Sequence, residues 1–160
     1  MEIKGNIQKE LIESIGVIYE RAGHTPMAGR VAGLLFLAEP PYKSFDQLVS
    51  DLEASKSAVS NALNVLLAMG LIDYKTFHGD RKRYFKINVT GLDAILKKEN
   101  DNIKNLSELL KKVVNARSGQ DHEFNEGIKN FICLLDIFYA EYPAIIEKWK
   151  KLKSGQQKGG

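Results

Sequence analysis

The 160-residue sequence contains one cysteine, one tryptophan and four prolines, and no long apolar run. A single thiol, Cys133, cannot form an internal disulfide, so the fold cannot rest on a disulfide scaffold. The most apolar stretch covers residues 31–38, far short of the roughly 18 residues a membrane-spanning helix needs, and no membrane partner is expected. The amino-terminal MEIKGNIQKELIESIG lacks the apolar centre of a secretory signal, which places the expected location in the cytoplasm. There is no glycine-rich phosphate loop, nucleophile elbow or Cys-x-x-Cys pair. His24, His78 and His122 lie far apart with no second ligand at metal spacing. No catalytic residue, metal or cofactor is expected. Charge of one sign is also scarce: the net is +3, so binding to a polyanion would depend on where the charges lie.

The sequence does have periodicity and punctuation. Ile7, Leu11, Ile15 and Ile18 recur at helical spacing before Gly23 and Pro26. Residues 28–38 are apolar nearly all round, as in a buried helix, and Pro40-Pro41 stops them. Ser44 to Gln47 forms a capping box opening a short helix that ends near Leu52. Ser55 caps a second helix, from Lys56 to about Met69, which Gly70 closes. The period then changes to two, and residues 71–77 and 84–89 read as a hairpin joined by a loop from His78 to Arg83. A long helix follows to about Val114 with a seam of Leu92, Ile95, Leu96, Glu99, Ile103, Leu106, Leu110 and Val113, and Ser118-Gly119 breaks it. The last helical stretch runs to Leu152, with a kink or a fresh start at Pro143.

The order helix, helix, turn, helix, hairpin is that of a winged helix-turn-helix, whose second paired helix enters the DNA major groove. Side-chain directions fit this. Val59, Ala62, Leu63 and Leu66 share one face of the Lys56 helix, while Lys56, Ser57, Ser60, Asn61 and Asn64 share another, with the cap Ser55 at its start. A small, polar, nearly uncharged face suits close approach to base edges, since asparagine pairs bidentately with adenine and serine with several edges. Residues 29–53 carry two basic against four acidic side chains, whereas residues 54–90 carry six against two, so the net moves from −2 to +4. That excess includes Lys75 and the tip HGDRKRY with Arg81, Lys82 and Arg83, so the hairpin is expected to lie along a phosphate backbone with one arginine entering the minor groove. The expected fold class is mainly α with a small β-hairpin wing. Residues 1–27 would form a supporting helix, 28–90 the winged domain, 91–153 a helical dimerisation region and 154–160 a disordered tail.

With those motifs in place, residues 29–90 resemble the winged helix-turn-helix of MarR-type transcriptional regulators. GRVAGLLFLAEPP, SFDQLVSDLEASKSAVSNALNVLLAMGLI and HGDRKRYF resemble the GbsR-type branch in particular. The resemblance implies a homodimer whose two recognition helices meet successive major grooves of double-stranded DNA, acting as a repressor. MarR-type wings usually read Asp-x-Arg, whereas here Arg81 follows Asp80 directly and Lys82 comes next, so Arg81 is the residue expected to enter deepest, with Arg83 close behind. The branch is associated with choline or betaine sensing, and Phe131, Phe138, Tyr139, Tyr142 and Trp149 could cage a quaternary ammonium effector. The plainer reading of those aromatics is core or dimer surface. Cys133, inside the apolar FICLLDIF, reads as buried packing rather than a redox sensor. The alternative function is a winged-helix module that binds an acidic protein.

Overall fold

A computed structural model describes residues 2–117 and 121–156. The chain divides into two compact units, residues 1–95 and 96–160.

In the first unit, α1 (Glu2–Arg21) packs on α2 (Pro26–Leu37). Thr25 caps α2 by accepting from the Ala28 N–H, and Pro26 occupies the first turn, where its missing N–H costs nothing. The two helices touch backbone to backbone. A Cβ on Gly29 would stand 2.7 Å from both the Gly16 Cα and the Ile15 carbonyl oxygen. Arg30 adds two hydrogen bonds to Glu13 Oε2, at 2.9 and 2.7 Å. Ile12, Ile15 and Tyr19 are half-buried along this helix, whereas Ile7, Leu11 and Ile18 of the periodic stripe stay exposed.

The helix-turn-helix follows. Its first helix, α3 (Phe45–Asp51), opens on the expected capping box: Ser44 Oγ accepts from the Gln47 N–H and Gln47 Oε1 from the Ser44 N–H. It closes at Glu53, which takes the left-handed conformation with φ 49° while the Ala54 N–H donates to the Val49 carbonyl. The second, α4 (Lys56–Met69), ends on left-handed Gly70, and the Leu71 N–H returns to the Leu66 carbonyl. Val31 and Leu35 from α2, Leu48 from α3 and Val59 and Leu66 from α4 make a fully buried centre, which Phe85 and Ile87 close from the sheet.

That sheet has three strands in the order β1-β3-β2, all antiparallel: β1 (Lys43–Ser44), β2 (Ile72–Lys75) and β3 (Tyr84–Ile87). Ile72 pairs with Ile87 and Lys75 with Tyr84. Two features depart from the sequence expectation. The strand β1 is two residues long and carries no period of its own; its register against Phe85 and Tyr84 exists only in the folded sheet. The connection between β2 and β3 spans residues 76–83, longer than expected, because Phe77 turns to pack its ring on Tyr84 at 5.0 Å instead of continuing the ladder.

The second unit pairs α5 (Leu92–Ala116, from residue 96 onward) with α6 (His122–Gln156). Contacts pair Arg117 with Asn125 and Ser107 with Asp136, so residue numbers run in opposite senses and the helices are antiparallel. Pro143 lies within α6, which neither ends nor restarts there. The expected break at Ser118-Gly119 lies outside the described residues. Of the expected tail, residues 154–156 continue α6 and 157–160 lie outside the described residues. Ile132 and Leu135 take the inward positions of α6, which leaves Cys133 exposed, a correction to its expected burial: one residue along a helix turns the side chain about 100° away. The buried positions of α5 are Asn100 and Ser107, whereas Leu96, Leu106 and Val113 of its apolar seam face solvent.

Candidate nucleic-acid interface

Two elements of the first unit carry the residues that the sequence singles out. In α4, Val59, Ala62, Leu63 and Leu66 are buried, which fixes the rotation of the helix about its axis. Lys56, Ser57, Ser60, Asn61 and Asn64 are consequently all exposed. Among the described residues, no group engages the side chains of Lys56, Ser60, Asn61 or Asn64, so their donors and acceptors are available to an incoming partner. Ser55 has a local duty, because its Oγ accepts the Ala58 N–H at 3.2 Å and lies 3.1 Å from Ser57 Oγ. The first turn of α4 has no acidic residue, so the positive end of the helix dipole is uncompensated on the side that bears these residues.

The wing owes its shape to Asp80. Gly79 takes φ 81°, which lets the chain reverse, and the Asp80 carboxylate then accepts the Lys82 N–H at 2.9 Å and the Tyr84 hydroxyl at 2.7 Å. These bonds hold the Asp80 carboxyl below the usual aspartate range, the Lys82 N–H contributing most, and the bond to Asp80 raises the Tyr84 phenol. Both directions describe one state: charge on Asp80, proton on Tyr84.

Four of the five hairpin cations, Lys75, Arg81, Lys82 and Arg83, receive four different placements. Arg81 is exposed, and no described group engages it. Lys82 Nζ lies 3.6 Å from Asp46 Oδ2, a loose exposed pair that sets the wing tip beside the start of α3. The Arg83 guanidinium lies 4.7 Å from the centroid of the Tyr74 ring. Lys75, which the charge count grouped with the tip, is turned the other way. Its ammonium sits 3.5 Å from the Tyr42 ring centroid and 4.7 Å from that of Phe77, in a cluster completed by Tyr84 edge-on to Tyr42. Sequence reasoning missed this cluster. Tyr42 follows the Pro40-Pro41 break with no periodic neighbours, and only the sheet brings it to Phe77 and Tyr84.

The five aromatics expected to cage an effector do not converge. Tyr139 and Tyr142 line a shared cleft within the second unit, whereas Phe131, Phe138 and Trp149 lie outside its lining and are exposed. Lys104 Nζ already stands 5.3 Å from the Tyr139 ring centroid. Among the described residues no cluster of three or more His, Cys, Asp or Glu side chains could hold a metal ion, and no helix is long and apolar enough to cross a membrane.

Comparison with known proteins bears on the same segment. Residues 29–74 match the family described as "Bacterial regulatory protein, arsR family". The HTH-type transcriptional regulator MmpR5 of Mycobacterium tuberculosis is 30% identical over 100 residues, which are 62% of this chain and 59% of that protein, so the chain spans less than two thirds of that relative's length. A crystal structure described only as that of a transcriptional regulator superposes with a TM-score of 0.75 at 22% identity, covering 90% of this chain and 98% of that one. The chain therefore has a winged helix-turn-helix fold, and its residues 29–74 are similar to the helix-turn-helix of bacterial regulatory proteins of the arsR family.

Proposed function

We propose that the protein is a sequence-specific DNA-binding transcriptional regulator that places α4 in the major groove and its wing along the adjacent backbone. The observation that carries this reading is the exposure of Lys56, Ser57, Ser60, Asn61 and Asn64 on the side of α4 opposite its buried residues. A polar helix face without Glu, on which Lys56, Ser60, Asn61 and Asn64 have no partner among the described residues, is suited to reading base edges, and each good bidentate contact discriminates by about 1–3 kcal/mol. The uncompensated amino terminus of α4 and the free Arg81 supply the phosphate attraction. The match to the arsR family and the relationship to MmpR5 support a regulator rather than a module for an acidic protein.

The proposal includes a cytoplasmic homodimer acting as a repressor and belonging to the GbsR-type branch. Two apolar stripes support self-association. Ile7, Leu11 and Ile18 of α1 are exposed, as are Leu96, Leu106, Leu109 and Val113 of α5. A dimer would set two recognition helices against a pseudopalindromic site about one helical turn apart. Response to a small effector completes the proposal, with Tyr139 and Tyr142 as the expected aromatics that share a cleft.

The test is selection of bound fragments from genomic DNA, followed by titration of the selected duplex and a scrambled one. Ser60→Ala and Asn61→Ala are expected to erase most of the preference for the selected sequence while retaining affinity for the scrambled one. Equal weakening on both duplexes would mean that α4 does not read bases. Indifference to all duplexes at low salt would remove DNA as the partner.

A further inference from the structure

Within the α5–α6 pair, Asn100 occupies an inward position on α5 and is only 6% exposed. Its Oδ1 is sealed from solvent without a hydrogen-bond partner, and among the described residues its amide nitrogen has none either. Buried amides are nearly always bonded, because removing one from water without a substitute is unfavourable. Ser107, the next buried polar residue of α5, shows the usual solution: its hydroxyl donates to Asp136 Oδ1 at 2.6 Å, and Lys111 Nζ holds the other carboxylate oxygen at 2.7 Å. Asn100 lacks such an arrangement. It instead forms part of the wall of a cleft of about 400 Å³ whose apolar sides are Tyr139, Tyr142, Pro143 and Ile146. That volume is within the range of small-molecule sites, and so is the combination of apolar walls with one polar anchor.

We infer that this cleft binds a small, neutral, mainly apolar molecule that carries one carbonyl or hydroxyl group, with the Asn100 amide as its polar anchor. The inference gives the proposed effector response its site and ligand class, but it concerns binding alone and does not require DNA. Neutrality follows from the charges at hand. Lys97 and Lys150 are balanced by Asp101 and Glu147 around the cleft, and Glu147 already pairs with Lys150 at 3.6 Å. Among the described residues that line the cleft, no buried countercharge awaits an ion, so a charged ligand would lose hydration without compensation. A quaternary ammonium would also have to share Tyr139 with the resident Lys104 ammonium. The amide can turn about its last side-chain bond, so it can donate to a carbonyl or accept from a hydroxyl.

Three probes with one ring and different head groups test the inference: benzamide, benzoate and benzyltrimethylammonium. Each is titrated into the full chain without DNA while the side-chain amide resonances of Asn100 are followed. Benzamide is expected to shift them saturably and to bind at least tenfold more tightly than either ion. Asn100→Leu should weaken benzamide at least tenfold yet raise the melting temperature, because an apolar residue of similar size relieves the unbonded amide. A residue kept only for structure would lower it. Should the leucine variant not fold, Ile146→Trp, which fills the cleft from its other helix, should abolish benzamide binding with the helix content unchanged. Absence of a saturable benzamide shift, tighter binding of the ammonium, or undiminished affinity in both variants would overturn the inference. It would also be overturned if a second copy of the chain covers the cleft, seen as benzamide exclusion together with a changed dimer dissociation constant in Asn100→Leu.

Discussion

The Tyr84 hydroxyl donates to Asp80 Oδ2 at 2.7 Å, tying the first residue of β3 to the reversal of the wing. The same carboxylate accepts the Lys82 N–H. One acidic side chain thus shapes the loop that presents Arg81. Asp80→Ala should therefore weaken DNA binding although it removes a negative charge from the wing, and it should speed amide exchange at Lys82. Charge alone predicts the reverse, tighter binding. Because the folded Asp80 carboxyl is held below its ordinary value of about 4, its contribution to wing order is present above that value and is lost as pH falls through the lower folded one. The Tyr84 phenol is raised, so its share of the bond is present below about pH 10 and is lost as pH rises through the higher folded value. Lys82 amide exchange, corrected for the intrinsic pH dependence, should accordingly stay flat between pH 5 and 9; a step within that range would contradict the pairing.

Arg81 and Lys75 carry the same charge but should behave differently. Arg81→Ala should lower DNA affinity and reduce the slope of log affinity against log salt by about one, since a free guanidinium displaces one condensed counterion. Lys75→Ala should leave the slope unchanged. Its effect should appear instead as lost stability, roughly 0.5–2 kcal/mol for the cation held against Tyr42 and Phe77. Salt-dependent titrations and denaturant melts of both variants separate the two roles. Equal slopes would refute the distinction.

Glu53 is the described non-glycine residue with positive φ, at the turn between α3 and α4. The left-handed conformation costs an L-residue about 1–2 kcal/mol, partly offset by the larger unfolded freedom of glycine, about 0.4–1 kcal/mol. Glu53→Gly should therefore stabilise the protein by roughly 0.5 kcal/mol, and Glu53→Val should destabilise it, β-branched residues being the least tolerant of that conformation. Urea denaturation midpoints decide the order, and a valine variant as stable as the glycine one would show that the turn relaxes.

Gly29 is a test of the α1–α2 contact. In an exposed helix interior, Gly→Ala gains up to ~1 kcal/mol. Here the new methyl would meet the Gly16 Cα and the Ile15 carbonyl at 2.7 Å and the Tyr19 Cβ at 2.8 Å, none of them the far end of a flexible side chain. Gly29→Ala should destabilise by about 1–3 kcal/mol as the helices are forced apart. Gly5→Ala, with nothing within 4 Å of the added carbon, is the control and should not destabilise.

The parts of the fold legible in the sequence are those set by bonds between near neighbours. The Ser44–Gln47 capping box, the Ser55 cap and the Gly70 stop close within a few residues, so the composition of those segments already contains them. The two faces of α4 were legible for a related reason: a helical period converts spacing directly into direction, and a single apolar face has one way to be buried. Lys75, Asn100 and Cys133 had no such local determinant. Lys75 faces Tyr42 because β1 pairs with β3, a contact made across some forty residues. Asn100 and Cys133 sit on helices whose apolar residues occupy more than one face, and which face turns inward was decided by the fit of α5 to α6. Sequence alone thus determined where the helices start, stop and present a polar side, because local hydrogen bonding and periodicity require no partner. The packed structure decided which charges remain free and which amide is left without a bond, because those depend on what the other elements bring alongside.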